Sequence, residues 1–436
     1  MQISAGAAAV EITPKRSIFL AGYPHVRRNS TGIHDPLLSS ALCLESRGVR
    51  VLIVGNDIIY LSKQSVTRIR TRIAHQTGVS GENILISATH THSGPKMLDP
   101  IATEADEAVP KADVAYIAFV EDAIVEAATR ATQRTVPAEI GLAVADATGV
   151  GTNRRDPAGA RDLDVPVMVV RDLTRHKPIA AMMVCSMHPT VLHEDSTLVS
   201  GDFPGLARIQ LQKNVLGEEC VVLYHTGPAG NQSPRHVTKA NTFEEAERLG
   251  KILADAAAKA IASIEYRHIA SIDCRHANLT LPLRSFPNEN EASDRLSRAI
   301  ARLEQLKRDN APRTAIRTAE VDWFGAQETL TLARATAEGR VAQAASAVMP
   351  AEVQAITIGP WTFVAWPGEM FIEFALRVKD ARANTFIISY ANGELQGYLV
   401  TRAAAEEGGY ESQNAIFKSP ESGEMLVKTT LELLGR

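Results

Sequence analysis

His90 and His92 close the segment Ile84-Leu-Ile-Ser-Ala-Thr-His-Thr-His-Ser-Gly-Pro95, in which an apolar run releases two imidazoles into a polar loop. On extended backbone, residues i and i+2 point to one side, so both rings face one pocket if the loop stays extended. Paired imidazoles at a strand end suit metal ligation or proton transfer, although two hydrogen-bonded loop histidines would have the same spacing. The segment Ala180-Ala-Met-Met-Val-Cys-Ser-Met-His188-Pro repeats the architecture, with His193, Glu194 and Asp202 following. Alone, His188 reads as a satisfied core histidine, and its weight comes from that repetition. In Tyr224-His-Thr-Gly-Pro-Ala-Gly-Asn-Gln-Ser-Pro234, Gly227 and Gly230 let the backbone turn close to a ligand. Ser233 is there a nucleophile, a hydrogen-bonding group or simply part of a Ser-Pro turn, and it lacks the Gly-x-Ser-x-Gly elbow. In Phe363-Val-Ala-Trp-Pro-Gly-Glu369 another apolar run ends in a carboxylate. The residues predict a helix over Phe371 to Lys379 beginning near Glu369, where the macrodipole favours an acid, and beside imidazoles the same group is an anionic metal ligand. Tyr398 and Tyr410, each next to glycine in a polar segment, read from residue type as surface or interface tyrosines.

Positioning these groups requires strands that end at the loops. Largely apolar runs predict strands over Ala41 to Glu45, Val49 to Asn56, Ile84 to Ala88, Val165 to Val170, Ile179 to Ser186 and Cys220 to Tyr224. Further strands are predicted over Val353 to Ile358, Thr362 to Trp366 and Thr385 to Ser389. Val66, Ile69 and Ile73 share a helical face with Gly78 as a stop, and longer helices are predicted over Ala115 to Ala131 and Phe243 to Ile264. The alternation predicts an α/β protein: one large, layered, mixed-sheet catalytic domain over residues 1–436 with helices outside. Residues 288–347 are rich in Ala, Arg and Glu with long helical periods. They predict a helical hairpin inserted into that domain, a plain packing element ahead of a lid.

Bulk composition removes several function classes. The formal charge is −4 with both signs mixed along the chain, so no basic patch points to nucleic acid. No apolar run approaches the roughly 20 residues that span a bilayer. The first residues lack a basic region before their apolar run and predict a strand, not a secretion signal. Cys43, Cys185, Cys220 and Cys274 lie far apart without metal-type pairing and read as free thiols. These features predict a cytoplasmic protein.

Taken together and in order, Thr89-His-Thr-His-Ser-Gly-Pro95, Asn153-Arg154, His188-Pro, Gly230-Asn-Gln-Ser-Pro234, Pro367-Gly-Glu369, Tyr398-Leu-Val-Thr401 and Tyr410-Glu411 resemble the neutral (non-lysosomal) ceramidase family. The resemblance implies Zn2+ held by His90, His188, Glu369 and Tyr398. His92, Arg154 and Tyr410 would line the pocket around a scissile amide, and Ser233 would fall on the family's active-site serine in a positioning role. Asn231 stands where the family's serine motif has Asp, which removes a negative charge. The chain is expected to lack the family's C-terminal immunoglobulin-like domain.

The implied activity is zinc-dependent hydrolysis of an amide in a small-molecule N-acyl substrate, with no nucleic-acid partner and room for a homo-oligomer. Zinc acidifies its bound water toward neutral pH, His92 carries a proton to the leaving amine, and Arg154 or Tyr410 stabilises the oxyanion. Three alternatives stand beside it. One is hydrolysis of a lactone, ester or small polar amide on the same centre. Another is a metal-free serine hydrolase using Ser233 with His92 or His225. The last is a non-catalytic binding relative.

Overall fold

The computed structural model describes residues 3–435. Eight strands form the large sheet: β1 (Ser4–Glu11), β2 (Leu38–Ser46), β3 (Val49–Asn56), β4 (Ile84–Ala88), β5 (Val136–Asp146), β6 (Asp164–Asp172), β7 (Pro178–Cys185) and β8 (Val221–Thr226). Their order is β8-β7-β6-β5-β1-β2-β3-β4. Neighbours are antiparallel except β3–β4 and β7–β8, which are parallel. A second sheet holds β9 (Ile272–Leu279), β10 (Ala351–Ile358), β11 (Trp361–Ala365) and β12 (Thr385–Ile388), with β11–β12 parallel. The fold is therefore mixed α/β.

Period-two alternation sorts the side chains into layers. Leu42, Leu44, Val51 and Ile53 point toward the second sheet and share a core with Ile356, Phe363, Phe386 and Ile388. Ala41, Cys43, Leu52 and Val54, from the same two strands, face α1 (Lys63–Thr77) and α2 (Val114–Gln133). Ala181, Met183 and Cys185 face α3 (Asp202–Leu211) and α4 (Phe243–Ala262). Strands covered on both faces read as continuous apolar runs, which is why the sequence marked them. Local signals agree: Ser62 accepts the Ser65 amide at the start of α1, and Gly78 ends that helix in the left-handed region with φ 73°.

The 288–347 stretch forms α5 (Glu289–Arg308), α6 (Arg313–Ala337) and α7 (Arg340–Val348), one helix more than a hairpin. Then follow α8 (Ile372–Ala381), α9 (Arg402–Glu407) and α10 (Ser419–Gly435). Among the described residues, no helix is long and apolar enough to cross a membrane. Cys43, Cys185 and Cys220 are buried and Cys274 is partly exposed, all as free thiols.

The site lies where strand ends converge. Thr226 Oγ1 donates to Thr89 O at 2.7 Å, joining the exits of β8 and β4. The Ser389 amide donates to Thr226 O at 2.9 Å and the Ala88 amide to Tyr390 O at 3.0 Å, which brings in the exit of β12. The carboxyl ends of parallel-paired strands are the general location of ligand sites in open α/β sheets.

Candidate metal centre and substrate cavity

His90 and His188 leave β4 and β7 at these exits and meet with Nε2 atoms 3.0 Å apart. His92 Nε2 lies 3.3 Å from His90 Nε2, and Glu369 Oε2 lies 3.5 Å from His90 Nε2 and 3.4 Å from His188 Nε2. The opposite ring edges are fixed. His90 Nδ1–H donates to Ile59 O at 3.0 Å, His188 Nδ1–H to Ala229 O at 2.7 Å and His92 Nδ1–H to Gly22 O at 3.1 Å. A carbonyl only accepts, so each Nδ1 carries the proton and each neutral ring turns a bare Nε2 lone pair inward. Burial pushes His188 down to about 4 and His92 well below its ordinary value, which keeps these rings uncharged.

Three inward lone pairs and a carboxylate oxygen repel one another unless a cation lies between them. Glu369 Oε2 has no hydrogen-bond partner although it is buried, while Tyr60 OH donates to Oε1. This donor set of imidazole nitrogens and one carboxylate fits a divalent metal ion such as zinc. His90, His92 and His188 form the metal-type group of the described residues.

Two expectations about these loops are corrected. The His loop is not extended: His90 sits in the left-handed region with φ 63°. Its amide donates to Ile58 O at 2.9 Å, and this anchor turns the backbone while the rings still converge. Strain of this kind is retained where the surroundings over-determine it. Glu369 itself stands just ahead of the predicted helix, which runs as α8 from Ile372 with Phe371 at its N-cap. Glu369 lies in the two-residue strand Glu369–Met370, parallel to Tyr398–Leu399, and is in register with Tyr398. In-register neighbours project to one face, so this bridge puts the phenol beside the carboxylate. Tyr398 is buried at 6% exposure rather than superficial. Its ring stacks on His188 with centroids 6.5 Å apart. Burial and Glu369 push its hydroxyl well above the ordinary value against the opposing pull of Arg154.

The remaining expected residues line one cavity of about 340 Å3 with Glu369 and Tyr398: His92, Arg154, Ser233 and Tyr410. Arg154 donates from Nε to Glu411 Oε1 at 3.0 Å, and its buried Nη2 has no partner. Tyr410 donates to Glu328 Oε1 at 3.3 Å, so this tyrosine too belongs to the cavity and not to a free surface. Ser233 Oγ accepts the Arg235 amide at 3.0 Å; no hydrogen bond joins it to a histidine among the described residues. His225 is fully buried elsewhere, bonded through Nδ1 to Ser87 Oγ at 2.7 Å. The Ser233–His225 pairing therefore has no geometry behind it. Asn231 faces away from the cavity: its Oδ1 accepts the Ile372 amide at 3.0 Å and its Nδ2 donates to Glu373. An aspartate there would meet the Glu373 carboxylate.

The insertion takes part. Arg317, Val321, Phe324 and Glu328 of α6 line the cavity, at spacings of four, three and four residues, one helical face. Residue reading alone also missed Tyr60, Arg28 and Gly22. Gly22 has φ 105°, and a Cβ there would come within 2.4 Å of His92 Nδ1. Tyr60 follows the apolar β3 run, a position comparable to those of the histidines. Removing its hydroxyl in Tyr60→Phe is expected to weaken metal binding about 10–100-fold, the usual effect of losing a group that orients a ligand; titration against a competing chelator measures it. Unchanged affinity would mean that the Tyr60–Glu369 bond does not set the carboxylate.

Buried imidazoles and a carboxylate thus converge at the strand exits of a mixed α/β fold, a group able to hold a metal ion. The family described as neutral/alkaline non-lysosomal ceramidase, N-terminal, matches residues 4–242, and the chain belongs to it. The match spans His90, His92, Arg154, His188 and Ser233, and the other three site residues lie beyond it. Neutral ceramidase of Mycobacterium tuberculosis is 25% identical over 240 residues, covering 50% of this chain and 37% of its own length. Neutral ceramidase of Pseudomonas aeruginosa is 24% identical over 267 residues, covering 56% and 40%. The matched stretch thus spans well under half the length of these relatives. The crystal structure of the Pseudomonas aeruginosa neutral ceramidase superposes with a TM-score of 0.76 at 17% identity, over 99% of this chain and 74% of that one. That likeness concerns the fold.

Proposed function

We propose that this protein is a zinc-dependent hydrolase that cleaves an amide bond in an N-acyl substrate, with His90, His188, Glu369 and Tyr398 as the metal ligands. The observation that carries the proposal is the convergence of bare Nε2 lone pairs and the orphaned Glu369 oxygen on one point beside a cavity. Zinc bound there supplies Lewis-acid polarisation and acidifies water. The chain's own groups do the rest. His92, kept neutral by burial, accepts a proton and delivers it to the leaving nitrogen. The free Arg154 Nη2 is a donor for the developing oxyanion, and the Tyr410 hydroxyl becomes a second one when its single proton turns from Glu328. Ser233 positions the amide through its hydroxyl.

The names of the relatives support a ceramide-like amide as the substrate class. The cavity volume of about 340 Å3 favours a small one, since ligand pockets run from about 300 to 1,000 Å3. A short-chain or polar N-acyl compound, or an ester of that size, fits better than a long lipid. Elemental analysis beside a screen of N-acyl amides and esters, with and without chelator, tests the proposal. The expected result is stoichiometric zinc, amide cleavage lost on chelation, and recovery on adding zinc. Cleavage that survives complete metal removal would point to Ser233 chemistry instead. Zinc without any cleavage would leave a binding relative.

A further inference from the structure

The cavity holds buried acceptors that the hydrolysis does not use. Glu328 is 4% exposed; its Oε1 accepts the Tyr410 hydroxyl, and its Oε2 has no partner. Glu394, also 4% exposed, accepts the Gln396 amide on Oε1 at 3.2 Å and leaves Oε2 unpartnered. Asn414 Oδ1 is a third buried oxygen without a donor. All three residues line the substrate cavity. The basic residues there pair with other carboxylates, Arg154 with Glu411 through Nε, Arg317 with Glu194 and Glu320, and Lys96 with Asp99, while Arg235 is solvent-exposed. No ion pair reaches Glu328 or Glu394 among the described residues. A buried polar oxygen left without a donor is costly, and a ligand that supplies the donor recovers that cost.

An acyl chain has no donor to give, because apart from its carbonyl it is hydrocarbon. Val321 and Phe324 of α6, with Phe19, Met97 and Leu98, supply apolar cavity wall for such a chain. The donors of an N-acyl compound lie in its amine part. We propose that Glu328 is a specificity-determining residue that binds a hydroxyl or ammonium group carried by the amine part of the substrate, with Glu394 and Asn414 serving the same polar region. The inference rests on the amide-hydrolase reading and deepens it. Burial pushes Glu328 up to about 8 and Glu394 well above the ordinary range. A neutral carboxyl offers one donor and one acceptor to a hydroxyl, and it ionises when an ammonium takes the site.

The probes are the N-propyl, N-hydroxypropyl and N-aminopropyl amides of butanoic acid, used on the zinc-loaded protein and on Glu328→Gln and Glu328→Leu. Thermal shift reads binding and steady-state kinetics reads hydrolysis. Wild type is expected to favour a donor-bearing amide over the propyl amide by about tenfold or more, expressed in KM rather than kcat. Glutamine keeps a donor and an acceptor but loses the charge. It therefore retains a hydroxyl preference and loses an ammonium preference, which tells the two ligands apart. Leucine abolishes either. Equal shifts and KM values for all three amides in wild type overturn the inference, as does a preference that survives in Glu328→Leu. A donor-dependent thermal shift without any hydrolysis would overturn the amidase reading and leave Glu328 only as the donor-binding group of a ligand-binding protein.

Discussion

His90→Ala and Glu369→Ala are expected to lose bound metal and hydrolysis together, whereas His92→Ala keeps the metal and loses turnover. His90 is the hub: its Nε2 lies within 3.5 Å of His188, His92 and Glu369. Removing it takes one of two imidazole ligands and the contact that orders the others. Glu369 supplies the negative charge in the set, and among the described residues no second carboxylate approaches the His90 and His188 nitrogens in an ion pair. Changes to groups that merely orient ligands already cost about 10–100-fold in affinity, so loss of a ligand should exceed that range. His92 differs because the proposed ligand set is complete without it. Its loss should cost about 10²–10⁴-fold in kcat, the usual yield of a positioned acid or base, with near-stoichiometric zinc retained. Metal content and kcat on the same preparations separate the roles. A His90→Ala protein with full zinc and full rate would end the ligand assignment. A His92→Ala protein stripped of zinc would move His92 into the ligand set.

The strand framework was legible because its strands are covered on both faces and therefore read as unbroken Val, Ile, Met and Ala runs. Each histidine stood at the end of such a run, so the strand exits could be read with it. Tyr398 was not legible from residue type: it depends on a parallel bridge of two residues with Glu369–Met370, too short to leave any periodicity. Only the resemblance to a family singled it out. The turn at His90 escaped for a different reason. Its positive φ is fixed by the hydrogen bond to Ile58 O, a partner that no local pattern announces. The insertion read correctly as helices and incompletely as packing. Arg317, Val321, Phe324 and Glu328 share a face, but nothing in that mixture of charge and carbon says that the face borders a cavity rather than solvent. Glu328 is the clearest case, since an isolated glutamate in a helix reads by default as exposed.

Arg28→Met is expected to destabilise the protein by about 2–5 kcal/mol, because it strips hydrogen bonds from buried acceptors at about 1–3 kcal/mol each before relaxation, and to lower the rate without touching a ligand. Arg28 is 1% exposed. Its Nε donates to Ser196 O at 2.7 Å, its Nη1 to Ala21 O at 3.1 Å and His92 O at 2.6 Å, and its Nη2 to Ser93 Oγ at 3.2 Å. One guanidinium thus ties together the segment holding Gly22, the histidine loop and the turn at Ser196. Methionine preserves most of the volume, so the loss reports on hydrogen bonds rather than on a cavity. Two buried carbonyls, Ala21 and His92, and the half-buried Ser196 carbonyl are left short of a donor, the buried ones at about 1–3 kcal/mol each before relaxation. The effect on rate follows from position. The Ala21 and His92 carbonyls share Nη1, and the neighbouring Gly22 carbonyl receives the His92 Nδ1 proton. Releasing them frees the ring that carries the proton in turnover, while His90 and His188 keep their own anchors at Ile59 and Ala229. Denaturant unfolding, zinc content and kcat on one preparation give the expected signature of lower stability, retained metal and reduced kcat. A lysine at this position has a single ammonium and cannot span the same partners, so Arg28→Lys should resemble the methionine variant more than the wild type. Wild-type stability in both variants would show that the three segments hold one another without the guanidinium.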